Sequence, residues 1–216
     1  MYGLIFANGD VTDGPAVEVA VRHSESHLII AADGGLNNAL RFDLRPDLIV
    51  GDLDSARPEQ IQEAVGRGAQ LQQAATTKDE TDLELALLAA VRHDCDPIRI
   101  IGAIGDRIDQ TLGNIYLMSL PELSGRDVRI VNGTQTVCLA YPGETFINGH
   151  PGDTLSLLPL SVEVKGIVTE GLQYPLHGET LRFGPARGMS NVLLMTPAHI
   201  QFESGLLLLV HTVGRA

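Results

Sequence analysis

Short apolar runs at residues 4–7, 28–32, 48–50 and 98–101 punctuate the first half of the chain, and a helix-like pattern follows each of them. Runs this short and this uniformly apolar suit strands covered on both faces. The helix-spaced segments lie at 15–22, 36–41, 58–65 and 109–118. A further one, 83–92, opens on Thr81-Asp82-Leu83-Glu84, which has the spacing of a capping box. A weaker strand pattern lies at 69–72. Alternation of this kind predicts an α/β domain built on a mostly parallel sheet.

The character changes near Ser124-Gly125. Beyond it, strand-like runs at 128–131, 137–140, 154–158, 162–168, 180–183, 191–195 and 206–211 are separated by Gly, Pro and Asn, with no helical pattern among them. Such spacing predicts an antiparallel sandwich or barrel. The expected organisation is an α/β domain over 1–124 and an all-β, sandwich-like domain over 125–216.

Acidic residues collect where the α/β half ends its strands. Asp33 follows 28–32, Asp52 and Asp54 follow 48–50, and Asp106 and Asp109 follow 98–101. In an open parallel sheet these positions share the carboxyl edge, where such folds bind ligands. In an extended segment Asp52 and Asp54 point the same way. Adjacent carboxylates repel unless a cation lies between them, and a hard divalent cation prefers oxygen ligands. Taken alone, the pair also fits a solvated turn. Asp82 either caps a helix or holds a metal, and Thr81 and Glu84 read as helix caps. Lys78, in Lys78-Asp79-Glu80-Thr81-Asp82, either contacts a phosphate or offsets local repulsion. Arg107 either clamps a phosphate or pairs with Asp106 or Asp109.

Carboxylates around a metal, with Lys and Arg nearby, suit phosphoryl chemistry. The G-x-x-x-x-G-K-[ST] and G-x-G-x-x-G phosphate-binding patterns are absent, so a nucleotide site would be built from the acidic turns. Ser55 has no adjacent His, and the seven His show no metal-ligand spacing. A formal net charge of −12 argues against nucleic-acid or anionic-membrane partners. No apolar run approaches the length of a membrane span. The first strand-like run starts at Tyr2 without a signal-peptide pattern, and two cysteines make no disulfide framework, so a cytoplasmic protein is expected.

Asp33-Gly34-Gly35, Gly51-Asp52-Leu53-Asp54-Ser55, Lys78-Asp79-Glu80-Thr81-Asp82 and Gly105-Asp106-Arg107-Ile108-Asp109 together resemble, in order and spacing, the ATP-facing motifs of the thiamine pyrophosphokinase family. Gly171-Leu172-Gln173-Tyr174-Pro175-Leu176 and Ser190-Asn191 resemble its thiamine-contacting segments. The resemblance implies an N-terminal α/β catalytic domain, a C-terminal β-sandwich, and a homodimer with active sites between subunits. It implies transfer of a pyrophosphoryl group from ATP to the hydroxyl of thiamine, with release of AMP.

Carried over by position, Asp52, Asp54 and Asp82 would hold Mg²⁺, and Asp33 would support the same site. Thr81 and Lys78 would help place ATP, and Arg107 would face its phosphates. Tyr174 would lie against the thiamine ring, with Ser190 and Asn191 contacting it or shaping the pocket. On chemical grounds, apart from the resemblance, a carboxylate would take the hydroxyl proton, with Asp82 or Asp109 the candidates.

Two positions depart from the family: Asp106, where a Gly is frequent, and Gln110, where a His is frequent. The chain also has no Trp, so ring stacking rests on Tyr174. The competing readings are a pyrophosphokinase for another alcohol such as a hydroxymethylpterin, a metal-dependent phosphatase, and a non-catalytic thiamine or nucleotide sensor.

Overall fold

The computed structural model describes residues 1–22, 27–73, 75 and 79–215. The chain divides into two compact units, Met1–Gly133 and Thr134–Ala216.

The first unit runs β1 (Tyr2–Phe6), α1 (Pro15–Arg22), β2 (His27–Ala32), α2 (Gly35–Arg41), β3 (Leu48–Gly51), α3 (Pro58–Gly66), β4 (Gln70–Gln73), α4 (Asp82–Arg92), β5 (Ile98–Ile101), α5 (Ile108–Leu117) and β6 (Val128–Asn132). Its strand order is β6-β5-β1-β2-β3-β4, and every pairing is parallel. The apolar runs form these strands because both of their faces are covered. Leu4, Phe6, Ile29, Ile101 and Val131 pack against Val17 and Ala20 of α1 and Ala39 of α2. Ala31 and Ile49 pack against Leu36 of α2 and Ile61 and Ala64 of α3. Alternation sends Ile5, Ile30 and Val50 to the opposite face, where α4 packs on β1, β2 and β3. Burying each such side chain stabilises the unit by roughly 1.5–3 kcal/mol.

The capping box is real in its first half: the Thr81 hydroxyl oxygen accepts the Glu84 N–H at 3.2 Å. Helix α5 is built differently. None of its residues is buried, and Ile108, Leu112 and Tyr116, four apart, are 73%, 45% and 56% exposed. The division between units falls after Gly133, one strand beyond Ser124-Gly125, because β6 pairs in parallel with β5.

The second unit contains β7 (Gln135–Ala140), β8 (Gly143–Ile147), β9 (Thr154–Pro159), β10 (Glu163–Glu170), β11 (His177–Arg182), β12 (Asn191–Val192), β13 (Ala198–Phe202) and β14 (Leu207–Thr212). One sheet is ordered β12-β9-β14-β7 and the other β11-β10-β13-β8, with antiparallel pairing throughout. Leu155, Leu157, Leu207 and Leu209 of the first meet Val164, Ile167, Ile200 and Phe202 of the second in one core, which makes a sandwich. Strands β8 and β13, which pair with each other, carry no apolar run long enough to stand out in the sequence. The expected strand at 191–195 is regular only over Asn191–Val192. Among the described residues, no helix is long and apolar enough to cross a membrane.

A buried carboxylate ties the sandwich end together. Asp153 accepts hydrogen bonds from the His150 N–H at 2.8 Å and the Gly214 N–H at 2.7 Å, and its Oδ2 lies 2.9 Å from His211 Nε2. Burial pushes the Asp153 carboxyl up, but the bonds from Gly214, His150 and His211 outweigh it and hold the group below the usual carboxylate value. A depressed folded value contributes stability above the unfolded value of about 3.9 and loses it as pH falls through the folded one. The melting temperature of the wild type should therefore exceed that of Asp153→Asn at neutral pH, with the gap closing below about pH 4. A gap that stays constant down to pH 3 would separate Asp153 from acid unfolding.

Candidate active site

The chain leaves β1 for β2 on one side, proceeds to β3 and β4, then returns to β5 on the other side of β1. The loops after β1 and β5 therefore part at a topological switch point, where open α/β sheets bind ligands. A cleft of about 590 Å³ opens there. Its walls come from the loops after β1, β2, β3 and β5, the N-terminus of α4 and the start of α5.

Three carboxylates gather on one side. Oxygens of Asp33, Asp52 and Asp82 lie within 4.8 Å of one another. Asp33 is the first residue past β2; it turns with φ 46, donates its N–H to Val50 O at 2.8 Å, and is 5% exposed. Its Oδ1 accepts the Ser55 N–H at 3.3 Å. Asp82 begins α4, directly after the Thr81 cap. Asp52 follows Gly51, which makes the approach possible: at φ 144, a Cβ there would sit 3.0 Å from both Asp33 Cβ and Asp82 Oδ1.

Among the described residues, no Lys or Arg forms an ion pair with Asp33 or Asp52; their recorded partners are backbone N–H groups. Hard carboxylate oxygens converging on one point fit a hard divalent cation such as Mg²⁺.

Asp54 lines the same cleft but is not part of the three-carboxylate group. The strand ends at Gly51 and Leu53 adopts φ 68, so the alternation that would aim Asp52 and Asp54 alike no longer applies. The Asp54 carboxylate instead accepts the Ser55 hydroxyl at 2.9 Å. Asp33 takes the third place in the group.

Arg107 stands at the N-cap of α5 and binds Asp109 through two bonds, Nε to Oδ1 at 3.2 Å and Nη2 to Oδ2 at 2.6 Å. The hydrogen bond from Arg107 holds Asp109 below the usual carboxylate range, and the same bond raises the arginine. A carboxylate so engaged is a weak proton acceptor. Both side chains are mostly exposed, and solvent screening keeps such a pair weak, so a phosphate can draw the guanidinium away. Thr111 and Asn114 fasten the loop after β5: Thr111 Oγ1 accepts the Gly105 N–H at 3.2 Å, and Asn114 Nδ2 donates to Ala103 O at 2.8 Å. Asp106, Gln110, Glu80 and Thr81 line the cleft, and Lys78 lies outside the described residues.

In the second unit, Tyr174 is 61% exposed and its backbone is held by Asn191. The Asn191 Oδ1 accepts the Tyr174 N–H at 3.0 Å and the Val192 N–H at 2.9 Å, while its Nδ2 donates to Tyr174 O at 2.7 Å. With its amide engaged on backbone and only 7% exposed, Asn191 shapes the turn that presents the tyrosine. Ser190 is exposed at φ 55 and donates its N–H to Ser156 Oγ at 3.0 Å.

Asn8, which is not acidic and so lacks the mark shared by the other strand-end residues, lines the cleft from the loop after β1. The signal was its place: it follows the first apolar run as Asp33, Asp52 and Asp106 follow theirs.

The fold and the site define a phosphoryl-transfer enzyme of the open α/β class, with a β-sandwich appended. The chain belongs to the thiamin pyrophosphokinase family: the family's catalytic domain matches residues 21–131 and its vitamin B1 binding domain matches residues 145–207. Among curated relatives, the thiamine pyrophosphokinase of Bacillus subtilis is 28% identical over 189 residues, covering 87% of this chain and 88% of the relative. The crystal structure of thiamine pyrophosphokinase from Bacillus subtilis superposes with a TM-score of 0.87 at 26% identity, covering 99% of each chain. The thiamin pyrophosphokinase structure from Candida albicans, at 19% identity, shares the fold with a TM-score of 0.82 over 98% of this chain and 88% of its own.

Proposed function

We propose that this chain transfers the pyrophosphoryl group of ATP to the hydroxyl of thiamine, forming thiamine diphosphate and AMP. The observation that carries the reading is the meeting of Asp33, Asp52 and Asp82 at the switch-point edge, in a chain whose two domains both match the family. These three carboxylates would hold Mg²⁺, and Asp54 faces the nucleotide from the same wall. Bound there, Mg²⁺ neutralises charge on the polyphosphate oxygens and aligns them.

The chain's own groups do the rest. Arg107 exchanges Asp109 for the polyphosphate and offsets the charge that builds on the non-bridging oxygens. Thr81 keeps a hydroxyl hydrogen to donate while its oxygen caps α4, and Lys78 also serves the phosphates. The thiamine hydroxyl oxygen attacks the β-phosphorus, the bond from that phosphorus to the α-bridging oxygen breaks, and AMP leaves. Asp82 would be engaged on Mg²⁺, whereas Asp109 is released from its bond to Arg107 as the guanidinium moves to the polyphosphate, which favours Asp109 as acceptor of the hydroxyl proton. Tyr174 offers its π-face to the cationic thiamine ring, held in place by Asn191 beside Ser190.

The protein works as a cytoplasmic homodimer with active sites between subunits. The exposed stripe Ile108, Leu112 and Tyr116 supports this, because it lies on the helix that also supplies Gln110 and Asn114 to the cleft.

One assay tests these points together. Purified protein with Mg²⁺, ATP and thiamine should release AMP and thiamine diphosphate in equal amounts. Replacing thiamine by a hydroxymethylpterin, or removing Mg²⁺, should stop the release. Specific activity should fall on dilution as light scattering shows the dimer mass giving way to the monomer mass. Binding of thiamine without AMP release would favour a sensor, and equal AMP release with the pterin would overturn the acceptor.

A further inference from the structure

We infer that Asn38, which does not line the cleft, is a positioning residue for the nucleotide: it holds the loop after β1 as a fixed wall. The inference rests on the proposed use of ATP at this site. Residues 7–14 link β1 to α1, and Ala7, Asn8 and Gly9 form part of the cleft. A loop at a strand end is ordinarily among the more mobile parts of a fold. This one is fastened from behind by α2. Asn38 Nδ2 donates to Ala7 O at 2.7 Å and to Gly9 O at 3.0 Å, which uses both hydrogens of one amide. One helical turn on, Arg41 Nη1 donates to Val11 O at 2.9 Å and Nη2 bonds Asp13 at 2.6 Å.

The same amide lies where the two diverging loops meet. Ala7 N donates to Ile101 O at 2.8 Å and Gly9 N to Gly102 O at 2.7 Å. Gly102 adopts φ 76, and a Cβ there would sit 2.4 Å from Ala7 O and 2.9 Å from Asn38 Nδ2. The backbones after β1 and β5 are therefore in direct contact, with Asn38 tying the first of them to α2. Two carbonyl acceptors converging on one point need two hydrogens from one nitrogen at asparagine's reach. Aspartate would present oxygen to oxygen there, and alanine would leave both carbonyls without that donor. A wall set before the ligand arrives spares binding the cost of ordering it.

The test compares wild type, Asn38→Asp and Asn38→Ala by calorimetry, titrating thiamine and, separately, a non-hydrolysable ATP analogue with Mg²⁺. Asn38→Asp should weaken the nucleotide about 10- to 100-fold and Asn38→Ala about tenfold, with thiamine affinity within twofold of wild type. In steady state the KM for ATP should rise while the KM for thiamine stays put. Should Asn38→Asp fail to fold, the alanine variant carries the comparison. Nucleotide affinity within twofold of wild type in a folded variant overturns the inference, as does an equal loss for both ligands, which marks a general structural role. Wild type that binds no nucleotide refutes the ATP site itself.

Discussion

Replacing Asp52 by Asn is expected to lower kcat by about 10³ or more at saturating Mg²⁺ and ATP, while the Mg²⁺-free protein melts at a higher temperature than wild type. The two effects have opposite signs for one reason. Asp33, Asp52 and Asp82 bring their oxygens within 4.8 Å of one another, which favours a bound cation and costs free energy without one. Unit charges at such a separation repel by roughly 1–3 kcal/mol at effective dielectric constants between those of protein surface and water. Removing one charge relieves part of that and should raise the melting temperature by a few degrees in EDTA. The same change removes a ligand from a site asked to supply several kcal/mol of transition-state stabilisation, and about 4 kcal/mol corresponds to the thousandfold loss. AMP release and thermal melts with and without Mg²⁺ measure both. A variant within tenfold of wild-type activity, or one that melts lower without Mg²⁺, would remove Asp52 from the metal.

Gly51→Ala is expected to cost about 1–3 kcal/mol of stability and to lower turnover about a hundredfold at ordinary Mg²⁺. The backbone at φ 144 strains any residue with a Cβ, and the added methyl would lie 3.0 Å from Asp33 Cβ and from Asp82 Oδ1. These neighbours are short side chains on fixed elements: Asp33 is buried at the end of β2, and Asp82 opens α4. Relief must come from spreading the two carboxylates apart. The variant should then need more Mg²⁺ for half-maximal activity, a shift that simple destabilisation does not produce. Denaturant unfolding with a Mg²⁺ titration of activity checks both parts. Wild-type Mg²⁺ dependence in a destabilised variant would show that Gly51 serves the backbone alone.

Much of this architecture is legible in the sequence. The runs at 28–32, 48–50 and 98–101 read as buried strands because a strand covered on both faces cannot hide polar residues, and each lies within the observed β2, β3 or β5. The acidic motifs carry family membership because their order along the chain reflects the order of strand ends along one edge. Residues whose role depends on a partner far along the chain are less visible. Asn38 reads as an ordinary helix residue until its amide is found on carbonyls 31 and 29 positions away. Strands β8 and β13 stand out only through pairing, β8 with β13 and β13 in turn with β10.

By itself, the sequence determined the α/β-then-β order, the parallel sheet and the family, since these follow from local apolar period and from motifs in fixed succession. Tertiary structure alone decided which carboxylates meet. Leu53 at φ 68 turns the chain so that Asp33, twenty-one positions before Asp54, joins Asp52 and Asp82. It also decided that β6 completes the first unit by pairing with β5. The physical reason is the same in each case: backbone turns and strand pairings set distances between residues remote in the chain, and a pattern of neighbours along the chain holds no such distances.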